Sequence, residues 1–177
     1  TSSTFTMTGG IISGNQANVG AGIYAAGTNL ILSGGEISGN TAKNAAGGIN
    51  LSGDNNVTLT GCKITGNTAL KGGGVSFWLK SGSDYKFNVV KGTVITGNTD
   101  MDGNASNLYL NNLILSSFIT ILDGENAPNG MNIGISSSKN PTDSAPIQIS
   151  DTTMQKAYSD CFFSDNDSYS LFIMDNT

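Results

Sequence analysis

The chain has no histidine among its 177 residues, and all eight of its basic residues are lysines. Without imidazole the commonest general base near neutral pH is missing. Without guanidinium the planar fork that grips carboxylates and phosphates through two bonds is missing too. Charge of either sign is scarce at 12%, and thirteen acids against eight lysines leave a net charge of −5. Nucleic acid and anionic membrane surfaces both require clustered positive charge, so neither is expected as a partner. No run of 18 apolar residues and no basic-then-apolar N-terminal segment occurs, so no direct membrane insertion and no export signal are read from the sequence itself. Two cysteines, Cys62 and Cys161, are too few for a disulfide framework and are expected as thiols. With only 3 prolines, the chain takes its punctuation from 24 glycines, which points to a turn-rich, β-leaning protein.

What the sequence does have is one phrase written four times. It runs Met7-Thr-Gly-Gly-Ile-Ile-Ser-Gly-Asn15, Leu32-Ser-Gly-Gly-Glu-Ile-Ser-Gly-Asn40, Leu59-Thr-Gly-Cys-Lys-Ile-Thr-Gly-Asn67 and Val90-Lys-Gly-Thr-Val-Ile-Thr-Gly-Asn98. The asparagines recur after 25, 27 and 31 residues. A period of that length, with strand-like alternation and a glycine at each bend, marks a solenoid in which no single repeat can bury its apolar face alone.

Period-two alternation sets Met7, Leu32, Leu59 and Val90 on one face and Thr6, Ile31, Thr58 and Val89 on the other. Ile12, Ile37, Ile64 and Ile95 form a second inward column, while the variable Ile11, Glu36, Lys63 and Val94 face solvent. A small inward slot follows at Ala17, Ala42 and Ala69, then a glycine-rich bend, then a third strand led by Ile23, Ile49, Val75 and Leu108. Cys62 shares its slot with Gly10, Gly35 and Thr93, where a thiol serves as a compact filler. At the bends, Gly14, Gly39, Gly66 and Gly97 supply positive φ. Asn15, Asn40, Asn67 and Asn98 are read as a structural ladder bonding from coil to coil.

These motifs resemble the parallel β-helix repeat proteins of anaerobic Gram-positive bacteria and, more distantly, the Gly-Gly-x-Ile and x-x-Asn repeats of chlamydial polymorphic outer-membrane proteins. The resemblance covers residues 4 to about 122. The stretch from Asn107-Leu-Tyr-Leu110 to Phe162-Phe163-Ser-Asp-Asn166 resembles the closing module that follows such repeats. It implies a stalk or adhesin segment of a large, modular, secreted or cell-surface protein, usually without catalysis and without a cofactor. Glycans or host surface proteins are the implied partners. The chain starts mid-repeat, consistent with a segment of a larger multidomain protein.

The expected fold is all-β: a right-handed parallel β-helix of three strands per coil and about four to five coils over residues 1–122. Residues 123–177 are expected to form a C-terminal cap that shields the last strand edges. Within it, Asp151–Tyr158 reads as one short helix, and Pro146–Ile149 and Ser170–Met174 read as strands.

Candidate chemistry is sparse. Lyases on a β-helix use a basic side chain beside calcium-binding acids, and hydrolases use two converging carboxylates. The repeats offer Glu36, Asp54, Asp84, Asp100 and Asp102 on different bends, so no catalytic residue is assigned. A polysaccharide-degrading lyase or hydrolase remnant and a pure spacer stand as alternatives. An ice-binding face would need an unbroken threonine array, and the outward columns are interrupted. Asp100-Met-Asp102-Gly-Asn104 has the alternating oxygens of half a calcium loop but lacks the closing bidentate acid, so a solvated acidic loop is the preferred reading. The segment Gly74–Lys86 holds the one tryptophan. Alternation sends Trp78 outward, with Asp84 and Tyr85 following on the loop, as a sugar-stacking platform. The competing expectation, given more weight, is that the loop folds back and buries the indole.

Overall fold

The computed structural model describes residues 3–78, 86–110, 120–121, 130–137 and 161–169. Four short strands make the first turn: β1 (Ser3–Met7), β2 (Ile11–Ser13), β3 (Gln16–Val19) and β4 (Ile23–Ala26). The second turn repeats them as β5 (Thr28–Leu32), β6 (Glu36–Ser38), β7 (Thr41–Ala45) and β8 (Ile49–Ser52). The third consists of β9 (Asn56–Thr60), β10 (Lys63–Thr65), β11 (Thr68–Lys71) and β12 (Val75–Trp78). β13 (Lys86–Val90), β14 (Val94–Thr96) and β15 (Leu108–Leu110) build the fourth. Above them lie β16 (Thr120–Ile121), β17 (Asn132–Ser137) and β18 (Phe162–Ser164).

Strands from successive turns pair in parallel and collect into three sheets, giving an all-β solenoid of about four turns. One sheet runs β1-β5-β9-β13-β16 and another β3-β7-β11. The third joins the β2-β6-β10-β14 stack to the β4-β8-β12-β15 stack, because β17 pairs with β14 through Asn132 and Ile133 and with β15 through Ile135, Ser136 and Ser137. The small slot at Ala17, Ala42 and Ala69 is thus a short strand of its own in the first three turns. β18 then pairs in parallel with β17. No helix occurs among the described residues. The helix expected at Asp151–Tyr158 and the strands expected at Pro146–Ile149 and Ser170–Met174 lie outside the described residues.

Stacking in register turns a sequence repeat into a core. Ile37, Ile64 and Ile95 sit directly over one another and are completely enclosed, as are Leu30, Val57 and Phe87 one face away. Each such aliphatic side chain contributes about 1.5–3 kcal/mol through burial. Phe77 meets Phe87 edge to face with ring centroids 5.0 Å apart.

In the fourth turn the column differs from the expected one. Val89, not Val90, lies over Leu59 and is fully buried, so Asn88 takes the outward place over Thr58. The cause is a longer bend: Val90-Lys91-Gly92-Thr93 spans the corner that Thr60-Gly61-Cys62 spans below. The extra residue shifts the alternation by one. Thr93 closes this bend, its hydroxyl donating to Val90 O at 2.8 Å.

The bend glycines Gly14, Gly39, Gly66 and Gly97 have φ between +63° and +68°. At the next corner Ala46 stands between Gly20 and Gly72 and is forced to φ 54°, a left-handed conformation that costs an alanine about 1–2 kcal/mol.

Candidate functional site

Two features could do chemistry or recognition: a buried polar column inside one corner and an exposed aromatic face outside another. The column begins at the Gly-Asn bend. Asn40 donates its backbone N–H and its Nδ2 to Asn67 Oδ1, at 3.0 and 2.9 Å, and Nδ2 also reaches Ile12 O at 2.9 Å. Asn67 does the same to Asn98 Oδ1 and Ile37 O, and Asn98 to Asn107 Oδ1 and Ile64 O. Asn15 donates in the same way to Asn40 Oδ1. The Asn-to-Asn links therefore all point one way, with donors toward the C-terminus, while Nδ2 of Asn40, Asn67 and Asn98 also donates back to an isoleucine carbonyl of the turn before.

The column ends on a carboxylate. Asn107 donates its backbone N–H to Asp165 Oδ2 at 2.6 Å and its side-chain amide to Oδ1. Ser136 Oγ also donates to Asp165. An acceptor-only group is the chemistry that finishes a chain of donors without leaving one orphaned. Neither Asn107 nor Asp165 belongs to the repeated phrase, and repeat arithmetic alone does not find them. Asn107 falls in the slot of Gly74 and precedes β15 as Gly74 precedes β12. Glycine is demanded in that slot below: a Cβ on Gly74 would lie 2.6 Å from Asn107 O and 2.8 Å from Asn98 Nδ2.

On the outer face of β4-β8-β12-β15, Trp78 is 51% exposed, so the indole is not covered as its type usually is. Val75 and Phe77 point inward and alternation sends Trp78 out. Tyr24 is 57% exposed on the same face. Register places Tyr24, Asn50, Ser76 and Tyr109 in one outward column and Ala26, Ser52 and Trp78 in the next. Two strand spacings separate Tyr24 from Ser76, about 10 Å along the sheet. Asn50, between them, is only 1% exposed, and its Oδ1 accepts no hydrogen bond among the described residues. Sequence reading singled out Trp78 and passed over Tyr24 and Asn50, which come together only through the pairing of β4, β8 and β12. Asp84 and Tyr85 lie outside the described residues.

The Asp100–Asn104 loop is closed upon itself. Asp100 Oδ1 accepts from the backbone of Asp102 and Asn104, both at 2.9 Å, and Oδ2 accepts from Asn104 Nδ2 at 2.9 Å. These bonds, that from the Asn104 side chain first, hold the Asp100 carboxyl below the usual carboxylate range. Asn104 presents its nitrogen, not its oxygen, to the loop centre, and Asp102 uses its backbone. No group of three or more metal-binding acids, cysteines or histidines occurs among the described residues.

Both cysteines are buried thiols. Burial pushes the Cys62 thiol up to about 12, opposed weakly by its backbone hydrogen bond and by the Thr93 side chain. A thiol kept neutral in this way is no nucleophile at neutral pH. Among the described residues no helix is long and apolar enough to cross a membrane. Comparison with protein-family models, curated proteins and solved structures gave no match.

Proposed function

We propose that this solenoid is a non-catalytic, adhesin-like segment of a larger bacterial secreted or cell-surface protein, and that it holds glycans on the face carrying Trp78. The single observation that carries the reading is the half-exposed indole on a regular sheet. A flat aromatic face packs against the C–H face of a pyranose, while neighbouring polar groups bond its hydroxyls. Tyr24 supplies a second aromatic surface, and the short side chains of Ala26 and Ser52 keep the column leading to Trp78 low, while Asn50 and Ser76 are buried beside it. The resemblance to β-helix surface proteins supports the same role by analogy of fold and repeat.

The enzyme alternative draws less support. Glu36 lies on the β2-β6-β10-β14 stack, Asp54 at the bend after β8, and Asp100 and Asp102 in the loop after β14. Paired-carboxylate hydrolysis needs two such groups facing one bond. Asp165 is engaged by Asn107 and Ser136.

Binding of the chain to a broad glycan and mucin array, beside Trp78→Ala, tests the proposal. About half of the Trp78 surface is buried, so the substitution is expected to cost about 1–2 kcal/mol. A cooperative melt well above the temperature of the array then validates the comparison. Specific binding that disappears in the variant is the expected result. Binding that survives it would move the binding face away from Trp78, and silence from both proteins would favour the spacer reading.

A further inference from the structure

Six asparagines are buried among the described residues, and five of them have their amide oxygens satisfied. Asn40, Asn67, Asn98 and Asn107 each accept a backbone N–H and a side-chain amide at Oδ1, and Asn55 Oδ1 accepts Thr28 N. Asn50 is the exception. It is 1% exposed, yet its Oδ1 has no hydrogen-bond partner among the described residues. An enclosed acceptor without a partner costs stability and calls for a reason. An open end of the solenoid is not that reason, because β8 is paired on both edges, with β4 and with β12.

A second cost falls at the same spot. Gly20, Ala46 and Gly72 occupy one corner in successive turns, and of the three only Ala46 carries a side chain into the left-handed region. A Cβ on Gly20 would lie 3.1 Å from Asn50 Cβ, and one on Gly72 would lie 2.8 Å from Ser76 Cβ. The equivalent position sets the Ala46 methyl beside Asn50 and Ser76. Glycine there would relieve the strain and uncover that flank. Backbone strain and unmet polar groups gather where a protein is shaped for a ligand and not for stability alone. Here the two coincide beside the indole. Asn50 and Trp78 are diagonal neighbours, one strand and two residues apart, or about 8 Å between Cα atoms. One pyranose lying on the indole, with its hydroxyls, covers that span.

The chemistry of the site defines the ligand. Oδ1 only accepts, so it selects a group that donates. Neither the Tyr24-Asn50-Ser76-Tyr109 column nor the Ala26-Ser52-Trp78 column contains a charged residue, and the chain has no arginine. A sugar carboxylate would meet a bare acceptor with no cation in either column to offset it. A neutral sugar hydroxyl supplies the missing donor.

We propose that Asn50 is the specificity-determining residue of the glycan face: its Oδ1 accepts a hydroxyl proton from a neutral pyranose stacked on Trp78, and sugars presenting a carboxylate there are rejected. The inference rests on the glycan-binding reading above. No hydrogen bond to a described residue holds Oδ1 in place, and the amide turns about its Cβ–Cγ bond to meet the ligand. The free protein bears the cost of the unpaired oxygen, and binding removes it.

The test sets neutral glycans beside their sialylated or uronic-acid counterparts and compares the unaltered chain with Trp78→Ala and Asn50→Leu. Leucine is close to asparagine in size and has no polar atom, so Asn50→Leu is expected to melt at or above the unaltered chain. The expected result is retention of neutral glycans only, abolished by Trp78→Ala and weakened about tenfold by Asn50→Leu. A second measurement needs no substitution. Titration with the best-retained neutral glycan, followed by amide NMR, should shift the Asn50 side-chain amide together with the Trp78 indole N–H. Full affinity in Asn50→Leu, or an indole that shifts while the Asn50 amide does not, would overturn the inference and leave the glycan face standing. Preferential retention of acidic glycans would overturn it as well. Should Asn50→Leu not fold, the titration alone decides. Silence of the unaltered chain on every glycan would remove the inference together with the reading it rests on.

Discussion

Replacing Asn67 by alanine tests the column where it is most enclosed. The substitution removes the acceptor of two buried donors, Asn40 N and Asn40 Nδ2. It also removes the Nδ2 donor that serves Ile37 O at 2.8 Å and Asn98 Oδ1 at 2.9 Å, leaving Asn98 Oδ1 with the Asn67 backbone N–H alone. A buried donor or acceptor left without a partner costs about 1–3 kcal/mol. With Asn40 and Asn67 both 0% exposed, the two orphaned donors and the displaced carbonyl together cost about 3–5 kcal/mol. Such a loss is a large fraction of the roughly 5–15 kcal/mol that holds a domain folded. It corresponds to a Tm lowered by roughly 8–15 °C for a chain of this size. Asn15→Ala is the control. It removes the equivalent forward Nδ2 donor at an exposed position while the Asn15 backbone N–H stays on Asn40 Oδ1, for about 0.5–1.5 kcal/mol. The assay is urea unfolding followed by circular dichroism for both variants. Equal losses, or an Asn67→Ala loss below about 1 kcal/mol, would refute the claim that enclosure makes this column expensive to break.

Further outcomes follow from the same geometry. Asp165→Ala should destabilise the C-terminal end by about 1–3 kcal/mol, because Asn107 N, Asn107 Nδ2 and Ser136 Oγ lose their common acceptor; faster amide exchange at Asn107 checks it. Cys62 is shielded and its thiol is raised from 9.0 to about 12. The folded state therefore keeps a proton that the unfolded chain gives up. The associated stability is complete below pH 9.0 and declines as pH rises toward about 12. A thiol reagent at pH 8 should label Cys62 only after denaturation; rapid native labelling would contradict the burial. Asp100 has the opposite sign. Its lowered value makes a small, exposed contribution that is present above 3.8 and lost as pH falls further. Carboxyl chemical shifts followed through acid titration would show Asp100 titrating below the ordinary aspartate value.

The repeat made the solenoid legible because a column position must be filled in every turn: Ile37, Ile64 and Ile95 could not share a buried site otherwise. Register was less legible. One added residue at Val90–Thr93 is invisible to a phrase match anchored at the asparagine, yet it exchanges the roles of Val89 and Val90. The end of the column was hidden for another reason. Asn107 and Asp165 are 58 residues apart and share no motif, so only the approach of β18 to β17 brings them together. The aromatic face was half legible. Alternation gave Trp78 its outward direction, but Tyr24 lies two strands away and 54 positions earlier in the chain, and no local pattern links them.

The most direct test of a surface that binds and does not cut uses one sample for both readouts. The chain and Trp78→Ala are incubated with the polysaccharides that score on the array. Retained protein is measured together with newly formed reducing ends and unsaturated sugar products. Trp78-dependent retention with no product above the protein-free control is the predicted result. Accumulation of either product by the purified chain would contradict it and make this solenoid an enzyme.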